Sequence, residues 1–117
     1  MSNWTAVAAV LLALGVALGA FGAHGLRGKI DDYSMSVYER AVLYHFIHAL
    51  GLLIVSIMPK PAGVNWPAWL LVAGIALFCG SLYVLAITGI RTLGAITPFG
   101  GVAFIAAWIV LAIQRRS

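Results

Sequence analysis

The chain has 117 residues, of which 63% are hydrophobic and 9% charged, and its formal net charge is +4. Soluble domains carry roughly 25% charged residues, so this chain cannot cover itself with polar surface and takes lipid as its solvent. Its seven basic residues stand at the ends of apolar runs rather than in one stripe, which suits phosphate headgroups and argues against a nucleic-acid partner.

At about 20 residues per membrane span, the length holds four helices with short connections and no attached soluble domain. The first apolar run covers 4–26. It lacks a basic leader, and its length marks a retained span rather than a signal peptide. Trp4 is an interfacial anchor. Gly15, Gly19, Gly22 and Leu26 recur at helical spacing, and Gly15–Gly19 and Gly19–Ala23 are small-xxx-small pairs that let another backbone approach. Packing inside the protomer explains them better than a dedicated dimer face. If the helix persists, His24 lies about 200° around it from Gly22, off the glycine seam. Gly25 and Gly28 are candidate breakers.

A polar loop follows over 27–36, with Asp32 or Ser36 as the expected cap of the next helix. Ser36 and Glu39 have capping-box spacing. The second span covers 38–58. Tyr38, Ala41, His45, His48, Leu52 and Val55 fall on one seam at three- and four-residue spacing, with Tyr44 one turn before His48. Pro59 and Pro61 close this span.

The third span covers 66–87 and opens on Trp66, Pro67 and Trp69, aromatics suited to the interface and a proline suited to a first helical turn. Gly74, Leu77, Ser81 and Thr88 are expected on one face. Ser81 can bond to backbone one turn back. Cys79 stands alone in mid-run, which rules out an intramolecular disulfide and reads as a small core residue rather than a reactive thiol. After a loop over 88–96, Thr97–Pro98 reads as cap and first helical residue of the fourth span, 98–113. Gly100, Ala103 and Ala107 give it a small packing face, and Arg115 and Arg116 leave the membrane.

The fold expected is an all-α integral membrane four-helix bundle with short loops, one domain over 1–117. In such a bundle the first and third loops share one side of the membrane. That topology gathers His24, Arg27, Arg40, His45, His48, Arg91 and Thr97 towards one face, and they form the candidate ligand-binding set. Ionisable groups at membrane depth point to a site. His45, His48 and Tyr44 are also the candidate catalytic groups, because a buried histidine makes a tunable base. His45 and His48 face one side, and His24 would complete a three-nitrogen set of the kind zinc and copper accept. No carboxylate is firmly placed beside them, so no metal site is expected. Haem needs an apolar cavity that four short spans scarcely leave, and no cofactor is expected.

The runs Gly19–Leu26 (GAFGAHGL), Tyr44-His45 with His48-Ala49, Gly80-Ser81-Leu82-Tyr83 and Gly94–Gly101 (GAITPFGG) resemble the YgdD/YwdK-like small bacterial membrane proteins. These are classed as a domain of unknown function, with human transmembrane protein 256 as a relative. The resemblance covers nearly the whole chain. It implies a multi-pass protein of the bacterial inner membrane and carries no accepted activity, substrate or cofactor. It adds weight to His24, His45, His48 and Thr97, which fall in the shared motifs.

The expected function is binding or assembly at a polar His/Arg-lined pocket facing lipid headgroups on one membrane face. The alternatives are a small enzyme acting on a lipid-linked group with a histidine base, and a structural subunit of a larger membrane complex or homo-oligomer. Membrane lipid is the expected partner.

Overall fold

Hydropathy and capping chemistry together lay out four long helices. A computed structural model describes residues 3–115. The helices are α1 (Trp4–Leu26), α2 (Asp32–Ile57), α3 (Trp66–Thr88) and α4 (Thr97–Arg115), with a short 3₁₀ turn at Arg91–Ala95 before the last. At 1.5 Å per residue they run about 30 to 40 Å, enough to cross a hydrocarbon core. The segments Trp4–Leu26, Asp32–Ile57, Trp66–Thr88 and Arg91–Gln114 are long and apolar enough for that role. No strand occurs among the described residues. Arg116 lies outside them.

Three of the helices begin where a side chain can satisfy a free N–H group; at α4 the expected cap Thr97 is itself the first helical residue, and its hydroxyl meets Ser81. The Asn3 side chain accepts from Ala6 N at 3.1 Å, Asp31 from Ser34 N at 2.7 Å, and Asn65 from Ala68 N at 3.3 Å. Gly89 ends α3 with a left-handed φ of 74°, and its N–H reaches the Leu85 carbonyl at 2.7 Å. That is an αL cap of the kind glycine adopts without a Cβ penalty.

The cap of α2 differs from the expected Asp32 or Ser36. Asp31 caps the helix, so α2 starts six residues before the apolar seam does. Ser36 instead donates to the Tyr33 carbonyl inside the first turn. The Ser34 N–H and hydroxyl hold the Asp31 carboxylate below its ordinary value of 3.8, with the Arg91 charge a smaller contribution. A carboxylate whose folded pKa is depressed contributes stability above the unfolded value and loses it as pH falls through the folded one. Acid titration followed by far-UV circular dichroism should therefore show α2 weakening below about pH 4. Asp31→Asn, which keeps the cap without the charge, should lack that component.

The chain folds up and down as successive antiparallel neighbours, α1 on α2, α2 on α3, α3 on α4. Alanines at the crossings allow close approach: Ala8, Ala41, Ala49, Ala68 and Ala107 are fully buried. Aromatic rings fill the notches left by glycines. Tyr38 lies against Gly22, Trp108 against Gly51, and Phe104 against Gly74.

Two of the helices contain a π turn, at Gly22–Leu26 in α1 and Ile75–Cys79 in α3. The wider turn changes which side chains share a face. In α3, Gly74 and Ser81 are buried as expected of one seam, but Leu77 turns outwards, 39% exposed, and Phe78 takes the inner position against α4. Cys79 is fully buried beside it.

Candidate functional site

The seven residues expected at one membrane face separate into two groups. Near the first loop, His24 is exposed on the α1 π turn. Arg27 pairs with Glu39 at 3.1 Å, but with side chains 61% and 56% exposed the pair contributes little. Arg40 is exposed. The Arg91 guanidinium sits 4.4 Å over the Tyr33 ring, tying the third loop to the start of α2. The Thr97 hydroxyl meets Ser81 at 2.6 Å, and Ser81 donates to the Phe78 carbonyl at 3.0 Å. Thr97 thus fastens α4 to α3.

His45 and His48 belong to the interior. Because α2 begins at Asp32, His45 lies about 20 Å along it at 1.5 Å per residue. That is near the middle of the helix rather than at its mouth. Both rings are buried, with relative exposures of 3% and 6%.

The bonds of His45 fix its tautomer. Nε2 lies 2.6 Å from the Leu11 carbonyl, which can only accept, so Nε2 carries the proton. Nδ1, 2.9 Å from the Tyr83 hydroxyl, then accepts from it. One side chain of α2 thereby joins α1 and α3, and both ring nitrogens are used. Two turns earlier, Tyr38 donates to the Leu18 carbonyl at 2.5 Å. The Leu11 and Leu18 carbonyls are also two turns apart, so α2 reaches α1 twice in one antiparallel register.

His48 turns the other way. Its Nδ1 donates to the Tyr44 carbonyl one turn back at 2.8 Å. Its ring stacks on Phe104 of α4, centroids 3.5 Å apart and planes 11° apart. Tyr44 stacks on His48 and on Phe78. The two α2 histidines share a seam but address different helices, and no group of three His, Cys, Asp or Glu among the described residues could hold a metal ion.

A cavity of about 460 Å³ lies at the opposite end of the bundle, where α1 and α3 begin and α2 ends. Trp4 and Trp69 line it and meet edge to face, centroids 5.0 Å apart at 87°. Thr5 and Ser56 line it as a hydroxyl pair, Thr5 donating to Ser56 at 3.0 Å and Ser56 to the Leu53 carbonyl at 2.6 Å. Asn3, Asn65 and Lys60 complete its polar lining, and Val55, Met58 and Val64 add apolar surface. None of the seven expected ligand-binding residues lines it.

Similarity to known proteins agrees with a membrane protein. A family model described as "Protein of unknown function (DUF423)" matches residues 18–101. The chain belongs to the DUF423 family. A UPF0382 membrane protein of Staphylococcus haemolyticus is 50% identical over 116 residues, covering 97% of this chain and 95% of the relative. YwdK, a UPF0382 membrane protein of Bacillus subtilis, is 50% identical over 117 residues with the same two coverages. Another in Staphylococcus epidermidis is 53% identical over 102 residues, 86% of this chain and 84% of the relative. No solved structure matches the chain.

The DUF423 match begins at Leu18, whose carbonyl receives Tyr38, and takes in His24, His45, His48, Ser81 and Thr97. The α1 wall of the cavity, Asn3 to Thr5, precedes it. Sequence reasoning missed the cavity because each of its polar residues has a sufficient local role. The asparagines cap helices, the tryptophans mark the interface, and Lys60 sits in a Pro-flanked turn. The signal available was their coincidence: two capped helix starts, two tryptophans and one lysine fall at the same membrane level once the spans are antiparallel.

Proposed function

We propose that this protein lies in the bacterial cell (inner) membrane and binds a membrane lipid by its headgroup, in the cavity between the ends of α1, α2 and α3. The observation that carries this reading is the cavity's mixed lining. Tryptophan edges and aliphatic side chains suit the glycerol and upper acyl region, while two asparagines and a lysine suit a polar head. Its 460 Å³ is within the range of small-molecule sites, and it sits at the interfacial level where headgroups are found. The acid–base alternative draws less support, because both nitrogens of His45 are engaged in helix-joining bonds and His48 is buried against Phe104, away from the cavity.

Lipid retained by detergent-purified protein, identified by native mass spectrometry, tests the reading. Wild type should carry a lipid adduct. Val64→Trp, which adds bulk in an exposed loop lining the cavity, should lose most of it with helical content unchanged. Equal retention by both proteins would overturn the proposal.

A further inference from the structure

The cavity side chains have a one-sided hydrogen-bonding capacity. The Asn3 and Asn65 carboxamide oxygens accept backbone N–H groups, and a backbone N–H can only meet an acceptor, which fixes both amide orientations. Each Nδ2 is then left with its two hydrogens and no acceptor among the described residues. The indole N–H groups of Trp4 and Trp69 also have no acceptor there. Lys60 has no carboxylate within reach among the described residues. The Thr5 and Ser56 hydroxyl hydrogens are already committed. No Asp or Glu lines the cavity.

The unpartnered N–H groups there are thus set against only the spare lone pairs of hydroxyl and carboxamide oxygens, and the one charge is positive. A cationic head such as a quaternary ammonium wants a carboxylate or aromatic faces around it; two tryptophans line this cavity, but Lys60 would repel such a head and no carboxylate offsets that charge. A phosphate ester wants N–H donors and a cation. Resting on the lipid-binding reading above, we propose that the cavity selects an anionic, phosphate-bearing headgroup, with Lys60 as its counter-charge and the Asn3 and Asn65 carboxamides as donors to the phosphate oxygens.

The full-length protein in nanodiscs, loaded with phosphatidylglycerol and phosphatidylcholine of matched acyl chains, separates the two readings. Wild type should retain phosphatidylglycerol about fivefold over phosphatidylcholine, the scale of one lysine at a membrane surface. Lys60→Gln should bring the ratio to about one, and Lys60→Arg should restore it. Val64→Trp should lose both lipids. Glycerol phosphate without acyl chains is the further arm. Displacement of lipid at comparable concentration assigns the site to a free phosphate ester, and no displacement assigns it to the lipid. Equal retention of the two lipids by wild type, unchanged in Lys60→Gln yet abolished by Val64→Trp, overturns the anionic selectivity and leaves the lipid-binding reading standing. Retention indifferent to Val64→Trp overturns both. Lys60 lies in an exposed loop, so its variants test recognition rather than folding.

Discussion

Gly100→Ala is expected to unfasten α4 from α3 and to destabilise the bundle by about 3 kcal/mol, the upper end of ordinary overpacking costs. A Cβ at this position would stand 2.3 Å from the Phe78 backbone nitrogen and 2.7 Å from its Cα. Those are backbone atoms, and no rotamer change relieves the clash. The two helices must separate. Separation also strains the Ser81–Thr97 hydroxyl contact one turn away and the seat of Phe104 in the Gly74 notch, through which His48 is stacked on α4. The neighbouring Gly101 is an internal control, since its nearest contact would be the Phe78 Cδ2 at 3.9 Å. Gly101→Ala should unfold with wild type when titrated from dodecyl maltoside into dodecyl sulfate and followed by circular dichroism. Coincident curves for the Gly100 and Gly101 variants would refute the close approach.

The second large effect is expected at His45. His45→Leu keeps roughly the volume but removes both helix-joining bonds and strands the Tyr83 hydroxyl in the interior. Side-chain hydrogen bonds between membrane helices contribute about 0.6 to 2 kcal/mol each, so the loss should be about 2 kcal/mol. Tyr83→Phe removes one of the bonds and should cost about 1 kcal/mol. If they act as one bridge, the double variant should cost less than the two singles together, a coupling of about 1 kcal/mol in a double-mutant cycle. Additive losses would mean that His45 and Tyr83 act separately. Nitrogen-15 spectra of the imidazole offer an independent check, with the proton expected on Nε2 and Nδ1 accepting.

Much of the fold was legible because membrane burial leaves a coarse signature. Four apolar runs give four helices, and the seam from Tyr38 to Val55 is buried at all six positions. The glycines of α1 face α2, with Gly15 against His45 and Phe46 and Gly19 against Val42, as the small-xxx-small spacing implies for packing within one protomer. The depth of His48 was legible from its place on the seam, but that of His45 was not. The apolar seam begins at Tyr38 while the helix begins with the Asp31 cap, and those six residues move His45 from the mouth of the bundle to its middle. The π turn of α3 was equally hidden, since nothing in Ile75–Cys79 marks it by composition. It exchanges Leu77 for Phe78 on the inner face. The cavity lies between segments distant in sequence, so periodicity within any one helix could not reveal it.

The two bonds from α2 to the Leu18 and Leu11 carbonyls work together as a key with two teeth. Along its middle, α1 packs on α2 through glycines and alanine, a surface on which a helix could slide or roll at little cost, and its other polar and ring contacts, Thr5 to Ser56 and Trp4 to Trp69, stand at its first turn. Either tooth alone would stop rolling only about its own position. Spaced two turns apart on both helices, they index height and angle at once. A shift of one residue, or a rotation of a third of a turn, disengages both together. The N-terminal helix is thus seated in one discrete setting, and that setting brings Asn3, Trp4 and Thr5 level with the end of α2.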